Sequence, residues 1–265
     1  MALIYISANK SGDARMAKII SEVEAYIFKN KQVKIQDLME VFNLSESTVR
    51  RYINQLIKSN SIIKEYGYVT ANVTDNLVNI KARISYLSDK KIRIAELASS
   101  MIENGDTIFV DSGTSHMHLA ESIRTKKDLT IVTNNLLFAI KIIDSDLEAE
   151  LIMIPGSVNK KTISMTGGAA IRFVEDIYFD KSFITASGVS IENGFSNRTF
   201  PECDIKRKIM SRTSTNIALV DDTKFDKIFP FSFSEFSFFD YIFTNMKPNE
   251  KYLTYIETMK TKIIF

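Results

Sequence analysis

The chain has 265 residues, 45% of them hydrophobic and 25% charged, with a formal net charge of +2. That is ordinary globular composition, with room for one small and one medium domain. A single cysteine excludes an intrachain disulfide framework and fits a reducing cytoplasm, and the absence of any run of about 18 apolar residues excludes a membrane-spanning helix.

The opening stretch Met1–Ala8 is apolar but has no basic leader, so it reads as a leader strand or flexible arm rather than a secretion signal. Between Ala14 and Asn30, the residues Met16, Ile19, Ile20, Val23, Tyr26 and Ile27 fall on one stripe of a helix. From Val33 to Lys58 the pattern predicts two short helices around a tight turn. Ser45 is placed to cap the second, and Val49, Ile53, Leu56 and Ile57 recur at the spacing that buries one side. Ser47, Thr48, Arg50, Arg51 and Asn54 then face outward. Hydroxyls, guanidinium groups and an amide are what a helix uses to bond phosphate oxygens and base edges in a major groove. Every amphipathic helix has a polar outer face, so the context has to carry the reading. Ile62–Val69 is apolar and β-prone around Gly67, as expected of a wing, with Lys64 placed to steady it on a phosphate backbone. Residues 15–69 also hold nine Lys or Arg against six Asp or Glu, so the modest positive charge resides here. Residues 14–70 are therefore expected to form a winged helix-turn-helix.

Residues 71–88 are mixed and polar and read as a linker to a domain spanning 89–265. A helix starts at Asp89, with Ile92, Ile94, Ala95, Leu97, Ala98, Met101 and Ile102 at helical spacing, and stops at Asn104-Gly105. Beyond it, β-type runs alternate with helical runs: 107–110, 119–123, 129–132, 136–143, 151–154, 169–177, 182–186, 204–210, 216–220, 241–243 and a last helix near 251–259. Such alternation predicts a mainly parallel sheet covered on both faces, with ligands at the carboxyl ends of the strands. Asp111, Ser112, Gly113, Thr114 and Ser115 form a loop of that kind. Hydroxyls, a glycine that admits backbone N–H groups and a following helix suit a phosphate, although a plain turn and cap has the same composition. Thr130–Asn135, Pro155-Gly156, Gly167-Gly168, Gly188 and Asp221-Asp222 supply further polar turns after strands. His116 and His118 point to different helix faces without a third histidine, so no metal is expected, and Cys203 reads as a packing residue.

Over Met16 to Phe265 the chain resembles the DeoR family of bacterial transcriptional regulators. Leu44-Ser-Glu-Ser-Thr-Val-Arg-Arg51 is similar to the family's Val-Ser-Glu-x-Thr-Ile-Arg-Arg-Asp, Asp111–Ser115 to its Asp-Ser-Gly-Thr-Thr, and Val132-Thr-Asn134 to its Val-Thr-Asn. Asp180–Ile184, Glu202–Arg207 and Asp221–Phe225 resemble its Asp-Lys-Ala-Phe-Ile, Glu-x-x-x-Lys-Arg and Asp-x-Ser-Lys-Phe segments, and the Thr185–Gly188 stretch looks closest to the inositol-catabolism branch. The resemblance implies a winged helix-turn-helix on double-stranded operator DNA, joined to a sensor domain of the ribose-phosphate-isomerase and CoA-transferase-like class that binds a phosphorylated sugar. It implies a cytoplasmic repressor of a carbohydrate-catabolism operon, dimeric or tetrameric, without cofactor. The reading residues are then Ser45, Ser47, Thr48, Arg50, Arg51, Asn54 and Lys64. The effector's phosphate would sit on Ser112–Ser115, with Asp111, Thr133, Asn134, Lys206 and Lys224 around the sugar. A sugar-phosphate isomerase with an appended DNA-binding domain is the alternative. Three positions depart from the family: Tyr52 stands where Asp is usual, Tyr66-Gly67-Tyr68 where the wing ends in His-Gly-Gly, and Ser187 where Asp is frequent.

Overall fold

The computed structural model describes residues 16, 19–28, 30–58, 61–72, 88–160 and 162–265, so the Met1–Ala8 arm and most of the 71–88 linker lie outside the described residues. The chain divides into two units, Met1–Ser88 and Asp89–Phe265.

In the first unit, α1 (residues 19–28) is followed by β1 (Gln32–Lys34), α2 (Ile35–Phe42), α3 (Glu46–Lys58), β2 (Ile62–Glu65) and β3 (Tyr68–Ala71). Asn43 ends α2 in the left-handed conformation (φ 49°), which an asparagine tolerates and which turns the chain sharply into α3. Ile20, Val23 and Ile27 from α1 meet Leu38, Val49, Ile53 and Leu56 and the hairpin residues Ile62 and Val69 in one core. Two details differ from the sequence reading. Tyr52, not Ile57, completes the buried side of α3: Tyr52 is 4% exposed and Ile57 37%. Positions 49, 52, 53 and 56 hold the i, i+3, i+4, i+7 stripe, while 57 has rotated past it. The wing is also three-stranded, in order β1-β3-β2, because the short β1 pairs with β3 (Val33 opposite Val69).

The second unit opens with α4 (Ser88–Ser100), which ends four residues before Asn104 and leaves Ile92 41% exposed. Then come β4 (Thr107–Val110), a 3-10 turn at Thr114–Met117, α5 (Leu119–Ser122), β5 (Leu129–Thr133), α6 (Leu136–Ile143), β6 (Ala149–Met153), the hairpin β7 (Ser157–Asn159) and β8 (Ser164–Thr166), and α7 (Gly168–Phe173). The chain continues through β9 (Phe179–Thr185), β10 (Gly188–Ser190), β11 (Gly194–Asn197), α8 (Phe200–Met210), β12 (Thr213–Leu219), β13 (Phe231–Ser234), β14 (Tyr241–Phe243), α9 (Glu250–Ile256) and β15 (Lys262–Ile264).

Seven strands form one wholly parallel sheet in the order β15-β14-β12-β9-β4-β5-β6. The chain enters at β4, builds outward through β5 and β6, then returns to β9 and builds the other way. The reversal places a topological switch point between β4 and β9, the position at which open parallel sheets of this kind bind ligands. Residues of α4, α5 and α6 (Ile94, Ala98, Leu119, Phe138, Ile142) bury one face of the sheet, and those of α7, α8 and α9 (Ala170, Ile205, Ile209, Tyr252, Ile256) the other. A second, antiparallel sheet, β10-β11-β13, was not expected from the sequence. It is pinned by close backbone approach: a Cβ on Gly188 would lie 2.3 Å from the Lys227 carbonyl oxygen.

Candidate functional site

In the first unit the polar face of α3 is built from its N-terminus. The Ser45 hydroxyl accepts from the Thr48 backbone N–H (3.4 Å) and lies within hydrogen-bond reach of the Ser47 and Thr48 hydroxyls (3.1 and 2.9 Å). Three hydroxyls thus converge where the free N–H groups of a 13-residue helix emerge, a favourable place for an anion. Ser45, Ser47, Arg50, Arg51 and Asn54 are exposed and Thr48 is half-buried. Arg50 reaches back to Glu46 (2.6 Å), a pair half-exposed on both sides and so of small energetic worth. Arg51 lies over the ring of Tyr52 (5.4 Å to the centroid), so the tyrosine that departs from the family pattern is the platform beneath an arginine rather than a reading residue. Lys64 is exposed on β2. At the wing's tip, Gly67 takes a left-handed φ of 78° and Tyr66 projects with a relative exposure of 103%. In the sequence, the one signal for Tyr66 beyond its departure from the family pattern is an aromatic on a tight turn.

In the second unit, four adjacent strands deliver the expected loops to one edge. After β4, Asp111 is fully buried and its carboxylate accepts from the Thr185 backbone N–H (3.1 Å), the Thr185 hydroxyl (2.8 Å) and the Lys206 ammonium. Lys206, 1% exposed on α8, also donates to the Thr185 carbonyl (2.9 Å) and lies over the Phe233 ring. A buried cation is thereby satisfied by a carboxylate, a carbonyl and a π face. Gly113 passes so close to Thr185 that a Cβ there would meet its Oγ1 at 2.8 Å and its Cγ2 at 2.9 Å. Thr114 and Ser115 are buried and Ser112 is half-buried.

After β5, the Thr133 hydroxyl donates to the Val110 carbonyl (2.6 Å) and accepts from the Asn135 N–H (3.0 Å), which commits it to joining β5 to β4. Asn134 is fully buried. Its amide N–H reaches the Met165 carbonyl (3.4 Å), while its Oδ1 has no hydrogen-bond partner among the described residues. Asn135 caps α6 and ties it to the Gly113 carbonyl (3.3 Å). After β9, Ser187 donates to Asn197 (2.6 Å), which in turn donates to Glu202 (3.3 Å). The Glu202 Oε1 is a second buried acceptor without a donor among the described residues. After β12, Lys224 stands 3.9 Å from Asp221 and the neighbouring Asp222 is paired with Lys90 of α4 (2.6 Å).

The structure thus brings Asp111–Ser115, Thr133, Asn134 and Lys206 together around the switch point, with Lys224 on the next loop. Thr185 and Asn135 bond directly to the Asp111–Ser115 loop, and Asn197 and Glu202 form a separate chain with Ser187 after β9. Glu202 and Thr185 were visible beforehand within motifs and Asn135 at the end of a polar turn; Asn197 is uncharged and gains meaning only from its place on β11 beside Ser187. His116 is buried beneath the loop, and burial drives its imidazole down to about 4 despite the nearby Asp111 charge. Cys203 packs in the core, where burial pushes its thiol up. A groove of about 560 Å³ lined by Glu192, Arg207, Phe236, Phe238 and Tyr255 lies on the small antiparallel sheet, apart from these loops.

Comparison with known proteins covers both units. The family model described as the DeoR-like helix-turn-helix domain matches residues 17–74, and that described as the DeoR C terminal sensor domain matches residues 87–246. The HTH-type transcriptional regulator IolR of Bacillus subtilis is 32% identical over 89% of this chain and 94% of its own length. The glycerol-3-phosphate regulon repressor of Escherichia coli is 27% identical over 82% of this chain and 85% of its own. The HTH-type transcriptional repressor GlcR of Bacillus subtilis is 24% identical over 86% of this chain and 87% of its own. Among solved structures, ribose 5-phosphate isomerase from Plasmodium falciparum is similar over 51% of this chain and 52% of that one, at 12% identity and a TM-score of 0.36.

Proposed function

The chain belongs to the DeoR family of transcriptional regulators, and from that premise we propose that it represses a carbohydrate-catabolism operon and is released or engaged by a phosphorylated sugar bound at the β4–β9 switch point. The observation that carries the reading is the Asp111–Thr185–Lys206 cluster at that point, flanked by a loop of hydroxyls and a close-packed glycine. In this reading the Ser112–Ser115 loop takes the phosphate through its hydroxyls and backbone N–H groups. Asn134 and Lys224 face the sugar, and Asp111, Thr133 and Lys206 hold the loops in shape. Ser45, Ser47, Thr48, Arg50, Arg51 and Asn54 meet the operator in its major groove, while Lys64 and Tyr66 bring the wing onto the backbone. One reading head spans one half-site, so two copies act together, in the cytoplasm where the operator is.

The isomerase alternative needs a carboxylate free to move a proton between adjacent carbons. Asp111 is poorly suited to it: one oxygen already accepts from Thr185 and Lys206, and the other lies 3.4 Å from the Ser112 hydroxyl. We therefore read the site as a sensor without turnover. Purified protein, labelled operator DNA and a panel of pentose, hexose and triose phosphates test both readings together. Operator affinity that shifts with one of them, without conversion of the sugar, is the expected result. Isomerised product would establish the enzyme instead.

A further inference from the structure

We propose that the free edge of β6 and the outer face of α6 form the interface with a second copy of this chain, the two β6 strands running antiparallel across a two-fold axis. The inference rests on the two-copy reading above and supplies its surface. The first observation is α6 itself. Leu136-Leu-Phe-Ala-Ile-Lys-Ile-Ile143 is apolar at every position but Lys141, a composition that belongs in an interior rather than at a surface. Phe138, Ala139 and Ile142 are buried against the sheet, yet Ile140 and Ile143 on the opposite side are 45% and 71% exposed. Its one charge, Lys141, is folded back onto the Met117 carbonyl (2.7 Å) and Glu121 (3.3 Å).

The second observation is the strand beside it. Among the described residues no strand continues the sheet beyond β6. The Ile154 N–H donates inward to the Thr133 carbonyl (3.0 Å), so alternation along the strand turns the amides of Ala149, Leu151 and Met153 outward, away from β5. Within β6 there is no proline or lysine to discourage pairing. The opposite edge differs. There β15 is only three residues long and carries Lys262, and a short edge strand with a lysine discourages pairing.

The third observation selects the partner. The acidic residues Asp144, Asp146, Glu148 and Glu150 lead into and enter β6, whereas Ser157–Lys160 beyond it has no acid and one exposed lysine. Antiparallel pairing about Leu151 sets the acidic half of each copy opposite the acid-free half of the other, and a two-fold axis produces that arrangement. A parallel approach would stack the carboxylates.

The test is sedimentation of the full-length wild type and of the Ile140→Glu/Ile143→Glu variant, together with amide exchange of the wild type across a dilution series. Both side chains are exposed in the single chain, so an unchanged thermal transition is expected, with self-association weakened on the order of 100-fold. In the wild type, the Leu151 and Met153 amides should become protected as concentration rises. Equal association of wild type and variant, with exchange at those two amides independent of concentration, overturns the interface, as does a wild type that remains a single chain while binding operator. A protein that assembles through this surface but shows no operator binding leaves the interface standing and removes the repressor reading instead.

Discussion

Lys206 donates its ammonium proton to the Asp111 carboxylate with side-chain exposures of 1% and 0%, so the strand that opens the second unit is fastened to α8 by a fully buried ion pair. The pair sits where β4 and β9 part. Taking one partner away leaves an uncompensated buried charge, which costs about 3–5 kcal/mol. Lys206→Met and Asp111→Leu should each destabilise the second unit by that amount, read as a lower urea midpoint. The Lys206→Met/Asp111→Leu double variant should lose much less than the sum. Additive losses would show that the two groups act separately.

Gly113 lies in extended backbone, so its constraint is contact and not backbone strain. Gly113→Ala would drive a methyl into Thr185, whose hydroxyl is held by Asp111 and by the Ser112 carbonyl (3.0 Å). Overpacking of this kind costs about 1–3 kcal/mol. The variant should keep operator binding and lose its response to sugar phosphate, read by anisotropy of labelled operator with and without ligand.

His116 gives the second unit a pH dependence. Its folded value of about 4 lies below the ordinary 6.5, so the unfolded chain takes up a proton first as pH falls. The neutral, buried imidazole therefore contributes its full stability above pH 6.5 and loses it progressively between 6.5 and 4. The total is about 3 kcal/mol at 1.36 kcal/mol per unit. Denaturation profiles of wild type and His116→Gln should converge toward low pH, the variant being flatter across that window. Parallel profiles would mean that another group sets the acid limit.

On α3, Arg50→Ala should change stability by less than about 0.5 kcal/mol, because it removes only an exposed pair with Glu46. It should nonetheless weaken operator binding. Arg51→Ala should also lower the salt slope of binding by about one if the guanidinium neutralises a phosphate. Ser45→Ala removes a helix cap worth about 1 kcal/mol as well as a contact, so its loss of binding should come with a lower melting temperature of the first unit.

The elements that repeat locally were legible in the sequence. The 107–110 strand and the 136–143 helix lie where their apolar runs place them, and the turn at Asn43–Ser45 follows from an asparagine and a capping serine. The antiparallel sheet was not legible, because β13 pairs with a strand more than thirty residues earlier and each strand is too short to show its period. Tyr52 was misplaced for a narrower reason: it was weighed against a family motif instead of against the 49, 52, 53, 56 stripe. Thr133 has the composition of a ligand group, and only the register of β4 with β5 shows its hydroxyl spent on Val110.

Coupling between the switch-point loops and the operator is reciprocal. The direct measurement is a closed thermodynamic cycle on full-length protein: sugar-phosphate affinity with and without operator, and operator affinity with and without sugar phosphate. For one sugar phosphate both ratios should depart from unity by the same factor, and Gly113→Ala should abolish that factor. Sugar phosphates that leave both affinities unchanged, while the protein binds its operator normally, would contradict the coupling.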